Sequence, residues 1–273
     1  MKFRFVALFC AMFLMATPAL AGTVTVKGST TVLPLMQAAA EAFMKQNPEV
    51  KIEISGGGSS NGAKALIDGA TDIAMMSRDI KDKEIKAAKS NGRNPVQHIV
   101  AFDCIVPVVN PWNTVTNLSK DQLFEIYTGK ATNWKEVGGK AGQVVVISRD
   151  TSSGTYDCWK NQVMKKDGKK HRVFPGALLQ ASNGAVVQAV AKNKYATGYV
   201  GLGYVDEGLL QPVTVDGVKA TVETALDGSY PISRGLNLYT PGEPRGDAKR
   251  LIDFMMSPTG QKLAAKIGFI PVK

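Results

Sequence analysis

Three short clusters of serine, threonine and glycine stand where a strand pattern passes into a helix pattern. They are Gly28 to Thr31 (GSTT), Gly56 to Gly62 (GGGSSNG) and Arg149 to Thr155 (RDTSSGT). Glycines let the backbone approach closely, hydroxyls donate hydrogen bonds, and the unpaired N–H groups at a helix start attract anions. The third cluster adds an arginine, whose planar fork of donors suits two oxygens of one anion. Together the clusters predict a pocket for a small tetrahedral oxyanion.

Strand and helix patterns alternate along the whole chain, as in Thr23–Lys27 followed by Leu35–Lys45. The apolar stretch from Val96 to Val109 has the pattern of two consecutive strands. This alternation predicts an α/β fold of two lobes, each a mostly parallel sheet flanked by helices. Because ligands bind at the carboxyl ends of strands in such sheets, two facing lobes would place the three clusters around one cleft.

The chain has two points where it could cross between lobes, near Asp103-Cys104 and near Arg234-Gly235. We therefore expect lobe I to comprise residues 22–103 and 236–273, and lobe II to comprise residues 104–235. The two crossing strands would act as the hinge.

Residues 1–21 have the features of a signal peptide. Lys2 and Arg4 precede an unbroken apolar run, which is too short to span a bilayer, and small residues at 19 and 21 predict cleavage near Ala21. The bulky Phe9 before Cys10 does not suit a lipid-attachment site. We expect a soluble, exported protein that resides in the periplasm.

The charge balance favours anionic small molecules over nucleic acid. Without Lys2 and Arg4, the chain keeps 31 basic against 23 acidic residues, a net charge of +8 that attracts anionic solutes. Its lysines and arginines are scattered and not interleaved with aromatic residues, so we expect no nucleic-acid partner. We also expect no metal and no cofactor. Cys104 and Cys158 could pair in an oxidising compartment or remain two separately buried thiols.

Other motifs leave alternatives open. Gly58 to Gly62 matches the GxSxG elbow of serine hydrolases, which would make Ser60 a nucleophile, but the histidine base would have to be His98 or His171. Ser77 ends a strand pattern, and its hydroxyl can donate to an anion or accept from it. The alternative is a strand-end cap beside a surface pair of Arg78 and Asp79. Ser182-Asn183 has the pattern of a helix cap.

The chain resembles the periplasmic phosphate-binding proteins of ABC uptake systems over nearly all of its mature length. The resemblance rests on the order and spacing of five segments: KGSTTVLP at 27–34, GGGSSNGAKAL at 56–66, DIAMMSRDI at 72–80, SRDTSSGT at 148–155 and GYVGLGYV at 198–205. It implies two α/β lobes that close over dehydrated phosphate, and reversible capture in place of catalysis. It also implies delivery to a membrane permease. We expect the protein to act as a monomer.

The family's contacts to phosphate fall on matching positions of this sequence. These are Thr30 and Thr31 with Ser29 beside them, Ser59, Arg149, Ser153, Gly154 and Thr155. Ser77 is a departure, since some members have there an aspartate that accepts a proton from the bound phosphate. Discrimination against sulfate could therefore be weaker, which keeps sulfate, tungstate and molybdate as alternative ligands. A secreted serine esterase or phosphatase is the remaining alternative.

Overall fold

The computed structural model describes residues 22–272, and one long strand joins the two halves of its main sheet. The strands are Thr23–Gly28 (β1), Lys51–Ser55 (β2), Ile73–Met76 (β3), Val96–Val109 (β4), Asn117–Leu118 (β5), Val145–Arg149 (β6), Lys165–Lys166 (β7), Lys169–Lys170 (β8), Leu178–Gln180 (β9), Ala196–Gly201 (β10), Gln211–Pro212 (β11), Thr214–Val215 (β12) and Ser233–Thr240 (β13). The helices are Leu33–Gln46 (α1), Ser59–Asp68 (α2), Asp82–Ser90 (α3), Lys120–Thr128 (α4), Gly154–Gln162 (α5), Asn183–Ala191 (α6), Val222–Leu226 (α7), Gly246–Met256 (α8) and Pro258–Lys266 (α9).

The main sheet has the strand order β2-β1-β3-β13-β4-β10-β6-β9. β1 runs parallel to β2 and β3, and β6 runs parallel to β10 and β9. β4 and β13 run antiparallel to each other in the middle. The result is an α/β sheet with a parallel group at each end, and the carboxyl ends of these parallel strands carry the loops of the three clusters.

Strand β4 passes from one half of the sheet to the other without interruption. Up to Cys104 it pairs with β13, and from Ile105 to Val109 it pairs with β10. The prediction of two consecutive strands in this stretch is therefore wrong. Only the partner changes after Cys104, and a change of partner leaves no break in the sequence pattern.

A large hydrophobic core lies on each side of this change of partner, and these two cores define lobe I and lobe II. A smaller cluster around Leu66 and Met76 belongs to lobe I as well. The core of lobe I packs β1, β3, β13 and the helices α1, α8 and α9 around Val26, Met36 and Leu238. The core of lobe II is built around Tyr127, Trp159 and Tyr199. The rings of Trp159 and Tyr199 stack in parallel planes at 4.2 Å. The protein is thus a two-lobed α/β structure.

The helices follow from amphipathic spacing and capping. In α1 the buried residues are Leu35, Met36, Ala39, Ala40 and Phe43, which form one helix face. Ser257 caps α9, accepting a hydrogen bond from the Gly260 N–H, and Pro258 stands in its first turn. The sequence pattern predicts a helix from Gly246 to Met256, and α8 has these bounds.

The basic segment 167–172 (DGKKHR) has the composition of a surface loop, but part of it lies in a hairpin. Lys165–Lys166 and Lys169–Lys170 pair as a short antiparallel hairpin. Its two-residue turn, Asp167-Gly168, has φ of 50° and 74°, as a primed hairpin turn requires.

Among residues 22–272 the structure contains no helix that is both long and apolar enough to cross a membrane. The predicted signal peptide, residues 1–21, lies outside the described residues.

Candidate functional site

The loop after β1 brings the first predicted site residues into the centre of the molecule. Gly28 has φ of +136°, and a side chain there would collide with the carbonyl oxygen of Met75, so only glycine fits. Ser29 follows, and its Oγ accepts from the Thr31 N–H at 3.1 Å. Thr30 and Thr31 are both buried. The Ser29 hydroxyl thus stabilises the turn that presents the two threonines.

The third cluster faces this loop from lobe II. It starts at the end of β6 with Arg149 and runs into α5, whose N-cap residue Ser153 accepts from the Tyr156 N–H at 3.2 Å. Arg149 Nη2 donates to Thr30 Oγ1 over 3.1 Å, and Arg149 Nε donates to the carbonyl oxygen of Gln180 over 3.0 Å. The guanidinium is therefore held rigidly against the first cluster.

The charge of Arg149 has no counter-ion among residues 22–272. The residue is 1% exposed, forms no salt bridge within the described part of the chain, and its Nη1 has no hydrogen-bond partner there. Burial lowers the pKa of Arg149 from its ordinary value. Because an unpaired buried charge is costly, this environment is suited to receive an anion.

Ser59 and Ser77 form the part of the site that comes from lobe I behind the first loop. Ser59 starts α2, and its Oγ accepts from the Ser77 N–H at 3.0 Å. The two hydroxyl oxygens are 3.4 Å apart. Gly154 of lobe II lies directly against them, since a Cβ on Gly154 would be 2.6 Å from Ser77 Oγ and closer still to Ser59 Oγ.

A direct contact between two hydroxyls closes the site. Thr31 Oγ1 of lobe I and Thr155 Oγ1 of lobe II are 3.0 Å apart, and both residues are buried. The structure thus brings all nine predicted residues to one place between the lobes. They are Ser29, Thr30, Thr31, Ser59, Ser77, Arg149, Ser153, Gly154 and Thr155.

Sequence reasoning missed several residues of this region. Asp103 and Arg234 form a buried ion pair with 2.7 Å between Arg234 Nη2 and Asp103 Oδ2, where β4 and β13 lie side by side. Arg234 also donates to Thr155 Oγ1 over 2.9 Å. The two residues were expected only as points of chain crossing, because residues 131 positions apart give no sequence signal of pairing.

Asn183 was expected only as part of a helix cap. Ser182 does cap α6, accepting from the Ala185 N–H at 3.1 Å. The side chain of Asn183 is fully buried and donates to Thr31 Oγ1 over 3.0 Å. It therefore belongs to the site region, and only the fold reveals this.

The alternative of a surface pair between Arg78 and Asp79 is wrong. Arg78 is buried, and its two Nη atoms contact the carboxylate oxygens of Glu84 at 2.8 Å each. Its Nε lies 2.9 Å from Asp157 Oδ2 in lobe II, and Lys81 Nζ lies 2.6 Å from the same oxygen. These ion pairs join the two lobes at the rim of the site.

The disulfide between Cys104 and Cys158 does not form in this structure. Both are buried free thiols, which was the alternative left open. The Cys158 thiol donates to the carbonyl oxygen of Ser77 over 3.5 Å, so it points into the lobe contact. Burial is the main cause that raises the pKa of Cys104 to about 12, so this thiol stays protonated.

The chemistry of the site is that of hydrogen-bond donation. Hydroxyls, helix N-termini and the Nη1 edge of the Arg149 guanidinium come together where the two lobes meet. Within residues 22–272 there is no group of three or more His, Cys, Asp or Glu that could hold a metal. Such an arrangement binds an anion by replacing its hydration shell.

Two α/β lobes, joined by neighbouring strands and closed over a polar site, define the class of two-lobed solute-binding proteins. The family model described as a PBP superfamily domain matches residues 16–259. A phosphate-binding protein PstS from Bacillus subtilis is 34% identical over 252 residues, which cover 92% of this chain and 81% of the relative. The chain belongs to the PBP superfamily and, within it, to the PstS phosphate-binding proteins.

Two solved structures of similar proteins agree with this family assignment. A substrate-binding protein from Clostridium perfringens, whose crystal structure holds bound phosphate, has a TM-score of 0.84 and 38% identity, covering 92% of this chain and 100% of that one. An ABC-type phosphate transport receptor from Vibrio cholerae has a TM-score of 0.73 and 32% identity, covering 90% of this chain and 99% of that one.

Proposed function

We propose that this protein binds inorganic phosphate between its two lobes and delivers it to the permease of an ABC transporter. The observation that carries the proposal is Arg149, a buried cation whose Nη1 is unpaired among residues 22–272 and which lies beside the hydroxyl of Thr30. Phosphate supplies the missing counter-ion, and its oxygens accept from the surrounding hydroxyls and the α5 N-terminus. The names of the relatives agree with this ligand.

The nine residues named above are proposed as the phosphate contacts. Eight lie on loops or helix starts, and Arg149 ends β6. The two lobes contribute them from opposite sides, so a bound anion touches both lobes. An anion that contacts both lobes favours the closed state over the open one. Binding and closure are then one coupled event.

The proposed moving bodies are residues 22–103 with 236–273, and residues 104–235. This division is supported by the cores: Ala101 and Leu236 pack in lobe I, whereas Cys104 and Ile232 pack in lobe II. The hinge lies where β4 and β13 pass between these cores. Apart from Ile270, which packs in the core of lobe II, the residues of each core come from one of the two proposed bodies, so the lobes can move as largely rigid bodies.

We propose that the protein is a binding protein and not an enzyme. Ser60, the candidate nucleophile of a hydrolase, accepts a hydrogen bond from Arg78 Nη2 at 3.2 Å. His98 Nε2 instead contacts Thr240 Oγ1, and the His171 ring packs on Phe124. Among the described residues neither histidine is placed as a base for Ser60, as nucleophilic catalysis requires.

We further propose that the protein is exported after cleavage near Ala21 and works as a monomer in the periplasm. Its PstS relatives support export as a class property. The monomer is supported by the origin of the site, because a single chain supplies every residue of the proposed phosphate contacts. Sedimentation of the mature protein, with and without phosphate, tests this state.

Titration calorimetry on protein stripped of phosphate tests the ligand. We expect tight binding of phosphate and weaker binding of sulfate and molybdate, because the Ser77 hydroxyl can accept the proton that only phosphate carries. Equal affinity for sulfate would identify a general oxyanion carrier. Absence of heat with all three anions, in protein that melts cooperatively, would overturn the proposed function.

A further inference from the structure

The end of β10 carries two consecutive backbone N–H groups that each begin a hydrogen-bond relay. Gly201 N–H donates to Asn183 Oδ1 over 3.3 Å, and Asn183 Nδ2 donates to Thr31 Oγ1 over 3.0 Å. Because a backbone N–H can only donate, the carbonyl oxygen of Asn183 must face Gly201 and its NH2 group must face Thr31. The Thr31 hydroxyl therefore accepts a hydrogen bond from the Asn183 NH2 group, and the direction of this hydrogen bond is fixed.

The second relay begins one residue later. Leu202 N–H donates to Asp103 Oδ1 over 2.8 Å, and Asp103 Oδ2 accepts from Arg234 Nη2 at 2.7 Å and from Nε at 3.0 Å. Arg234 Nη1 then donates to Thr155 Oγ1 over 2.9 Å. Asp103 is fully buried and neutralises the charge of Arg234. The guanidinium therefore acts on Thr155 as a fixed donor.

The number of protons on the two threonine hydroxyls determines whether the pair donates or accepts a hydrogen bond. A hydroxyl has one proton, and here each hydroxyl already accepts from a fixed donor. Thr31 Oγ1 and Thr155 Oγ1 are 3.0 Å apart, so one proton can bridge them. The other proton must then go to a third group, whichever way the bridge points. The pair as a whole is a donor.

Glycine is required where the relays start. A Cβ on Gly201 would be 2.8 Å from Asp103 Oδ2 and 3.1 Å from Thr31 Cγ2. The first distance is shorter than a carbon–oxygen contact allows, so a side chain would push the two relays apart. This gives the segment GYVGLGYV a physical role, although none of its residues is among the nine proposed contacts.

We propose that Asn183 and Arg234 are positioning residues that fix the protons of Thr31 and Thr155 toward the bound anion. This inference rests on the proposed function, since it assigns the anion as the third group. The anion oxygen next to Thr31 and Thr155 then accepts a hydrogen bond, which suits an unprotonated oxygen. The proton of phosphate is then confined to another part of the site.

A double-mutant cycle on phosphate affinity tests whether Asn183 acts through Thr31. Asn183→Ala should weaken binding by about tenfold in the wild-type background, but by less than about twofold in Thr31→Val, which has no hydroxyl to orient. If Asn183→Ala reduced phosphate affinity by the same factor in both backgrounds, the inference that Asn183 acts through Thr31 would be wrong. Arg234→Gln with Thr155→Val gives the same cycle for the second relay, should a variant at position 183 fail to fold.

Reversing the polarity of the first relay gives a second readout. In Asn183→Asp the carboxylate accepts the Thr31 proton, so Thr31 turns a lone pair to the anion, which suits a protonated oxygen. Affinity for sulfate should then fall at least about tenfold more than affinity for phosphate, because sulfate carries no proton. The ratio is measured by displacing bound phosphate with sulfate.

Asn113→Asp is the matched control. Asn113 is buried in lobe II, and its Oδ1 accepts from the Val115 N–H, which an aspartate also allows. This variant adds the same charge outside the relays and should leave the anion ratio unchanged. Equal loss of both anions in Asn183→Asp would overturn the inference, whereas a wild type that binds no phosphate would overturn the proposed function itself.

Discussion

Arg149 combines two properties that rarely occur together, deep burial and an uncompensated charge. Its Nε and Nη2 are anchored to backbone carbonyl oxygens of Gln180 and Ala181, which fixes the plane of the guanidinium. Nη1 remains without a partner among residues 22–272. Arg234 shows the contrast, because Asp103 pairs with it over 2.7 Å. The charge of Arg234 is thus balanced by a carboxylate of the protein, whereas the charge of Arg149 is left for the ligand.

Removal of Arg149 should therefore cause the largest loss of affinity. Arg149→Ala deletes charge-assisted hydrogen bonds of about 1.5–3 kcal/mol each, so two of them correspond to at least about a hundredfold in affinity. Arg149→Lys should lie between, because it keeps the charge and loses the fork. Calorimetry with phosphate measures both. Arg172→Ala removes an exposed arginine from the same lobe, and if it were as damaging as Arg149→Ala, the site assignment would be wrong.

Substitution of Gly154 by alanine should impair closure of the lobes without lowering the stability of the fold. Its φ is not positive, and alanine favours a helix start, so Gly154→Ala should not lower the melting temperature of phosphate-free protein. Its methyl group would lie 2.6 Å from Ser77 Oγ, which obstructs closure. We expect at least about a tenfold loss of phosphate affinity.

The control for this substitution is Gly184→Ala, in the first turn of α6, where the nearest atom to a new Cβ is 4.0 Å away. It should leave both affinity and melting temperature as in the wild type. If Gly154→Ala binds phosphate as tightly as Gly184→Ala does, Gly154 does not line the closing surface.

The residue types of the site could be predicted from the sequence, whereas their partners could not. Serine, threonine and glycine before a helix have a local physical meaning, so the positions from Ser29 to Thr31 and from Ser153 to Thr155 were predictable. Asn183 and Arg234 act across 152 and 79 positions of the chain. No local pattern encodes such a contact, because it arises only when the lobes meet.

At the scale of elements, five helices, α4, α5, α6, α7 and α9, start at a local side-chain cap, whereas the strands depend on their partners. The helix pattern from Gly246 to Met256 was sufficient to predict α8, and Pro258 predicted the start of α9 because proline acts within the first turn. The continuity of β4 could not be predicted, since it depends on two partner strands distant in sequence.

Helix α3 carries an acid-sensitive contact in its first turn. Burial alone would raise the pKa of Glu84, but the hydrogen bonds from Arg78 and from the Lys81 N–H, with the charges of both residues, hold that pKa below its ordinary value. A carboxyl group whose pKa is lowered by folding stabilises the native state above its unfolded pKa. This contribution is lost as the pH falls through the native pKa.

Substitution of Glu84 tests this contribution. Glu84→Gln should be destabilised relative to wild type at pH 7, by about 1–3 kcal/mol for the loss of a partly buried ion pair. The difference should shrink steadily as the pH is lowered below about 4, where wild-type Glu84 becomes protonated as well. Urea unfolding at several pH values measures it, and a difference that is constant from pH 3 to 7 would contradict the assigned ion pair.

On the scale of the whole molecule, the two lobes are joined by the shared strands and by polar contacts, and Ile270 adds an apolar contact by packing in the core of lobe II. Lys81 and Arg78 of lobe I reach Asp157 of lobe II at the rim, and the hydroxyls of Thr31 and Thr155 touch in the centre. Such contacts reform easily in water, unlike an apolar interface. The closed arrangement thus depends on what lies between the lobes, and the anion contributes the charge that Arg149 needs.

Phosphate should therefore change the shape of the protein in solution. In small-angle X-ray scattering, phosphate-free protein should contain an expanded open form, and saturating phosphate should reduce the radius of gyration toward roughly 18 Å, the value for a compact chain of this length. Gly154→Ala should stay expanded at a phosphate concentration that saturates the wild type, because its methyl group blocks closure. Identical scattering of the wild type with and without phosphate, at a concentration where calorimetry shows full binding, would mean that closure does not depend on the anion.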